Sequence, residues 1–437
     1  MLSQRAKNVW KYVFPAMLSN VCFFLFSVVD GIFVGQGIGS NALGAVNIVY
    51  PIVMVVGALL MLATIGGVTI TAIRLGRGDE EGANTAFMHS MILAFAIGTF
   101  FTVIGVFFAK PICVLLGAND TFQGLAADYL FWYSLFTIPS AMSQGLQGFC
   151  RNDGSPGLVT VAVVISTLCN IFLDWLFIFP LAMGTAGAAI ATGVSQVIAL
   201  LITSIHYVRG AGKLRIRLPK LEWKLLKKII VRGLPEGIAQ LATPVMTFCM
   251  NLVLAARIGD IGINAFAVIS YVASFTLAVF FGTGEGLQPL FGQSYGAKAE
   301  KDLKYYFRIG MTISIVGSIA VIGMIILFCR PICRMFGAEP GVLDYVVEAM
   351  PLYAWGFVPM AVNAMVSAYL YSTKRSGYAI VLNVLRSLVV SAAVILLVPA
   401  VFGADSVWLT FGIYELVVAV ISVVLLKVSE RNGIVFK

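Results

Sequence analysis

The sequence predicts an all-α polytopic membrane protein, with twelve transmembrane helices in two repeats of six. Three observations predict it. The 437 residues are 60% hydrophobic and only 11% charged, with a mean hydropathy of +0.96, where a soluble domain carries roughly 25% charge. The charged residues gather in short gaps between apolar runs of about 20 residues or more, the length a bilayer-spanning helix needs. The second half also repeats the first. Lys110-Pro111-Ile112-Cys113-Val114-Leu115-Leu116-Gly117-Ala118 returns as Arg330-Pro331-Ile332-Cys333-Arg334-Met335-Phe336-Gly337-Ala338, and Phe14-Pro15 returns as Leu234-Pro235.

The first span, 12–34, follows Arg5, Lys7 and Lys11. It is longer than a signal-peptide core and lacks a small-residue cleavage signature, so it reads as a retained helix. Spans 46–73 and 86–109 flank Leu75-Gly76-Arg77-Gly78-Asp79-Glu80, a charged break that recurs as Tyr295-Gly296-Ala297-Lys298-Ala299-Glu300 between the eighth and ninth spans. Arg151 separates 125–149 from 158–179, and the sixth span, 186–208, runs into a basic stretch. The second half supplies 229–256, 264–291, 307–329, 345–371, 378–400 and 407–426. Glycine is abundant, and Pro51, Pro139, Pro235, Pro244, Pro289 and Pro359 fall within or at the ends of spans. Close helix packing and local bending are the two readings for these residues.

The lysines and arginines fix an expected orientation. With the N-terminus in the cytoplasm, 24 of them fall on the inner side and four (Lys110, Arg257, Arg330 and Arg334) on the outer, with Arg386 inside a span. That asymmetry is a positive-inside signal and places both termini in the cytoplasm. The net charge of +9 is therefore a membrane signature, and nucleic acid is not an expected partner. The expected division is an N-lobe at 1–208, a basic cytoplasmic linker at 209–228 lying against anionic headgroups, and a C-lobe at 229–437. Each lobe holds an even number of spans, so the two enter the membrane in the same orientation. Parallel repeats of this kind, with a cavity between them near the midplane, are a common plan of secondary transporters.

Cys22, Cys113, Cys150, Cys169, Cys249, Cys329 and Cys333 are scattered, and Cys329-x-x-x-Cys333 has no histidine or acidic companion to make a metal site. His89 and His206 sit near span ends, where a structural role is expected. Acids inside spans need a stronger reason, because each costs on the order of 2.5–3.5 kcal/mol to insert. Asp30 lies late in the first span and Asp174 late in the fifth, at similar depth, and Asn170 shares a helix face with Asp174 at i, i+4. Two carboxylates and an amide suit a proton or a hard cation. In the second half Asp30 aligns with Met250 and Asp174 with the Ile395–Leu397 run, so the acids are absent from the repeat. Glu285, in Gly282-Thr283-Gly284-Glu285-Gly286, is a candidate for substrate contact or gating. Glu236 reads as an interfacial cap, and Arg386 with Glu415 as a structural pair.

Several segments resemble one family. Asp30-Gly31-Ile32-Phe33-Val34-Gly35 with Asn41-Ala42-Leu43-Gly44-Ala45 is similar to the first-span signature of multidrug and toxic compound extrusion (MATE) transporters. Asn170-x-x-x-Asp174 resembles the fifth span of their prokaryotic DinF-like branch, and Gly187-Ala188-Ala189-Ile190-Ala191-Thr192 the start of the sixth. Gly286-Leu287-Gln288-Pro289-Leu290 with Tyr295-Gly296-Ala297 resembles the end of the eighth. The resemblance runs the length of the chain. It implies a V-shaped pair of six-helix bundles, a monomer in a prokaryotic inner membrane, and antiport of a small organic molecule against H⁺ or Na⁺ without a cofactor. The coupling ion would be held by Asp30, Asn170, Asp174 and Thr192. The NorM-like branch places its acids mainly in the C-lobe, where Glu236 and Glu285 match no motif of that branch. Two rivals are a lipid-linked saccharide flippase, which needs cavity cations where only Arg386 is available, and an intramembrane enzyme using Asp30 and Asp174 as an acid pair.

Overall fold

The computed structural model describes residues 4–118, 120–217, 219–331 and 340–431, and every regular element among them is helical. Most of the returning half of the repeated motif, with Cys333 and Arg334, lies outside the described residues, as do Lys437 and the side chain of Asn41. The chain divides into two compact units, each assembled from more than its own half of the sequence. One comprises Trp10–Gly233; the other joins Met1–Val9 to Leu234–Lys437.

In the first unit the helices are α1 (Gln4–Gly37), α2 (Ser40–Gly76), α3 (Glu80–Leu115), α4 (Asp120–Leu135), α5 (Thr137–Asn152), α6 (Pro156–Ile178), α7 (Gly184–Val208) and the start of α8 (Trp223–Ala239). α8 docks through Leu225 and Ile229, buried with Ile70 and Ala86. Gly66 and Gly233 permit this approach: a Cβ on Gly66 would run into the Ile229 carbonyl, and one on Gly233 into the Leu62 carbonyl. Small residues at a helix interface are the usual means of bringing two membrane helices together.

The second unit contains α9 (Ala242–Arg257), α10 (Asp260–Gly296), α11 (Glu300–Leu327), α12 (Pro340–Ala354), α13 (Phe357–Ser372), α14 (Ser376–Val384), α15 (Ser391–Phe402) and α16 (Val407–Arg431). Its core gathers Met246, Phe266, Tyr353, Phe357, Trp408 and Phe411, with Tyr353 stacked on Phe411 at 4.3 Å between ring centroids. The helix start Gln4–Val9 belongs here through Arg5, which pairs with Asp302 at 2.6 Å, and Asn8, which donates to the Tyr306 hydroxyl at 3.4 Å.

The repeat is visible helix by helix. α2 and α10 are both 37 residues long and begin after Gly39 and Gly259, whose φ angles of 114° and 84° favour glycine. The turns closed in the left-handed region by Gly78 and Gly154 are closed in the second half by Lys298 and Lys374, at φ 58° and 62°.

All twelve predicted spans are helical, but three are broken in two. The breaks fall between α4 and α5, α8 and α9, and α12 and α13. Each second segment carries proline at its third position: Pro139, Pro244 and Pro359. A proline has no N–H for the i−4 carbonyl and its ring clashes with that group, so the first segment ends at or before that residue. Pro51, Pro235 and Pro289 sit inside continuous helices. Span eleven instead passes through a π-helical turn, Leu385–Val390, between α14 and α15. By length and apolarity ten helical stretches among the described residues qualify as membrane spans, with α8–α9 and α14–α15 each taken as one, and eleven with the α12–α13 pair, bent by 43°. The predicted fourth span falls short of that measure: α4 and α5 are 16 residues each, and α5 carries Ser140, Ser143, Gln144, Gln147, Arg151 and Asn152.

Candidate functional site

In the first unit one face of α6 is buried at Pro156, Val159, Ala162, Ser166, Asn170, Asp174 and Ile178. Spacings of three and four put these on one stripe, and its second half is polar. Asn170 is 1% and Asp174 0% exposed. The stripe packs on α7, which answers with Gly187, Ala188, Ala189 and Ala191. Small residues there let the α6 backbone come close.

Asp30, half-buried on α1, is brought within electrostatic reach of Asp174, and Asn170 stands beside Asp174. Five atoms of this trio are buried without a hydrogen-bond partner among the described residues: Asp30 Oδ1, Asn170 Oδ1 and Nδ2, and both Asp174 oxygens. A buried polar atom left unpaired costs about 1–3 kcal/mol, more if charged, so five together are not a structural economy. Tyr129 lies beside them and feels both carboxylates, with Tyr50 and Tyr133 next to it in turn, and it stacks with Tyr133 at 6.2 Å. These three residues escaped the sequence reading because tyrosine is common in membrane helices. The 129–133 spacing, one helical turn, was the available signal. Thr192 is half-buried on α7. Its carbonyl accepts from Ser195 Oγ at 2.7 Å, and no hydrogen bond joins its side chain to the trio.

The second unit holds a different cluster. Glu236, in the last turn of α8 beside the break, accepts from Gln240 Nε2 at 3.3 Å. It lies within electrostatic reach of Glu285 and Arg386. Tyr371, buried, faces both glutamates. Arg386 sits in the π-helical turn. Its Nε donates to Glu415 Oε1 and Oε2 at 2.9 and 3.1 Å, and its Nη2 lies 2.8 Å from Oε1. Asn363 Nδ2 donates to Glu415 Oε2 at 2.7 Å, and Ser422 holds the Asn363 oxygen. No group of His, Cys, Asp and Glu able to hold a metal occurs among the described residues.

The sequence profile of the MatE family matches residues 15–176 and again 235–397. The chain belongs to the MatE family. The double match reports the same repeat from an independent direction. MatE proteins are secondary transporters and need no cofactor, which sets aside the acid-pair enzyme. A FAD transporter of Shewanella oneidensis is 22% identical, over 93% of this chain and 91% of that one. The multidrug export protein MepA of Staphylococcus saprophyticus is 23% identical over 94% and 91%. A probable multidrug resistance protein NorM of Thermotoga maritima is 27% identical over 77% and 74%. Among solved structures, an outward-facing multidrug resistance MATE transporter of the MOP superfamily superposes with a TM-score of 0.93 at 23% identity, covering 98% of this chain and 97% of that one. A MOP superfamily transporter from Pyrococcus furiosus gives 0.91 at 23% identity, over 99% and 97%. The MatE fold is thus common to this chain and to those structures.

Proposed function

We propose that this MatE protein is a DinF-like antiporter that exports amphipathic organic cations against an inward H⁺ or Na⁺ gradient. It works as a monomer in a prokaryotic inner membrane, with both termini cytoplasmic and lobes at 1–208 and 229–437 joined by the linker 209–228. Asp30 and Asp174 carry the coupling ion, and Asn170 and Thr192 complete its shell. The observation that carries this reading is the set of five buried, unpartnered polar atoms on Asp30, Asn170 and Asp174. Oxygen-rich groups of this kind suit a hard cation, and a bound proton or Na⁺ would satisfy what the surrounding helices do not. Glu285, with Glu236 and Tyr371 near it, supplies carboxylates and an aromatic face for an organic cation.

The test is efflux of a fluorescent organic cation from proteoliposomes, with pH and Na⁺ gradients imposed separately, for wild type and Asp174→Asn. Efflux driven by one gradient and lost in the variant is the expected result and names the ion. Wild-type efflux by Asp174→Asn would refute the site. Gradient-driven efflux of a flavin nucleotide, with none of the cation, would move the substrate class to that of the Shewanella relative.

A further inference from the structure

Among its described residues the stretch between α7 and α8 has no regular secondary structure, yet it is tied down with unusual thoroughness. Asp153, at the end of α5, accepts from the backbone N–H groups of Lys213 at 2.8 Å and Leu214 at 3.1 Å. The same carboxylate meets His206 Nε2 at 2.9 Å, and both side chains are buried. Leu214 is fully buried, and Asn84 takes the Lys213 carbonyl and the Arg215 N–H. At the far end His89 Nε2 accepts the Glu222 N–H at 2.8 Å, while Nδ1 bonds the Thr85 carbonyl at 2.7 Å. Because Nε2 accepts, the ring proton must sit on Nδ1. Both histidines of the chain therefore hold this one segment, and a flexible tether would need neither.

What the clamps present is a basic and apolar surface. Arg217, Lys220, Lys224, Lys227 and Lys228 are exposed and have no ion-pair partner among the described residues. Between them stand Ile216, Leu221 and Trp223, at 60%, 48% and 75% exposure. α8 is sided: Leu225 and Ile229 face the protein, and Lys224, Lys227, Lys228 and Val231 face outward. Glu222 is the one acid between Arg209 and Arg232.

We propose that the surface formed by Ile216, Arg217, Lys220, Leu221, Trp223, Lys224, Lys227 and Lys228 is a docking plate for the anionic phospholipid headgroups of the leaflet it borders. Basic side chains gain from the negative potential of such a leaflet. An exposed tryptophan among lysines, here between Lys220 and Lys224 with Glu222 beside it, is the composition of a segment lying in the headgroup layer. A rigid attachment means that lipid bound here is bound to the Trp10–Gly233 unit. The inference rests on the membrane orientation proposed above and not on the antiport reading.

The test uses the full-length protein in vesicles of mixed phosphatidylcholine and phosphatidylglycerol, with bromine on the acyl chains of one lipid or the other. The fluorescence difference between wild type and Trp223→Phe isolates Trp223. Its emission should be quenched several-fold more by brominated phosphatidylglycerol, and high salt should abolish the preference in the wild type. Replacing the five cations by glutamine should abolish the preference, as high salt does in the wild type. Equal quenching by the two lipids would overturn the proposal. So would quenching of Trp223 by aqueous acrylamide with none by brominated lipid, or a preference that survives in the five-residue variant.

Discussion

Replacing Arg386 by Met removes three N–H···O contacts of 2.8 to 3.1 Å from Glu415. The carboxylate then keeps Asn363 Nδ2 at 2.7 Å and the neighbouring Tyr414 hydroxyl, and is 1% exposed. Hydrogen bonds to a charged group contribute about 1.5–3 kcal/mol each, so losing the fork and leaving a charge buried should destabilise by about 3–5 kcal/mol, the range found for broken buried pairs. The double variant Arg386→Met, Glu415→Leu behaves differently. It removes both charges, and Asn363 retains its 2.9 Å bond to the backbone carbonyl of residue 415 and the Ser422 hydroxyl. It should recover most of the loss, giving a coupling energy of at least about 2 kcal/mol in a double-mutant cycle. Unfolding by SDS in mixed micelles, followed by tryptophan fluorescence, provides the assay. A single variant within about 1 kcal/mol of wild type, or a double variant as unstable as the single, would refute the argument that this pair is held by mutual compensation.

The α2–α8 contact makes a second prediction. Gly233→Ala and Gly66→Ala each drive a methyl onto a backbone carbonyl and should cost about 1–3 kcal/mol or more. Gly57→Ala, in the same α2 but with nothing within 4 Å, should be neutral or stabilising, measured by the same micellar unfolding. Lys298→Gly and Lys374→Gly should each raise stability by about 0.5–1 kcal/mol, because the left-handed strain they relieve, about 1–2 kcal/mol, exceeds the added entropy of glycine in the unfolded chain. Unchanged melting in both would show that the turns relax without cost.

The helical spans were legible because insertion into lipid demands long apolar runs, and the chain has few other residues. The breaks were half legible. Pro139, Pro244 and Pro359 announced a bend, but Pro51, Pro235 and Pro289 carry the same signal inside unbroken helices. The fourth span, 125–149, was legible as an apolar run, but its break leaves two 16-residue helices, the second of them polar on one side. At the site, Asp30, Asn170 and Asp174 stood out as polar groups in apolar surroundings, whereas Tyr129 is conspicuous only once its neighbours are known. The π-helical turn at Arg386 left no mark on a pattern read at 3.6 residues per turn.

The division of the chain also bears on how it is made. A ribosome completes residues up to Val208 well before it reaches Trp223, yet the first unit is not complete without the opening turns of α8. The second unit, conversely, recruits Arg5 and Asn8 from the earliest synthesis, held until Asp302 and Tyr306 emerge. Neither half can finish assembling while it is the only half present. Expression of the two halves as separate polypeptides cut within 209–228 would leave one product lacking its last piece and the other lacking its first, so the early product must either wait for its missing helix or be recognised as unfinished.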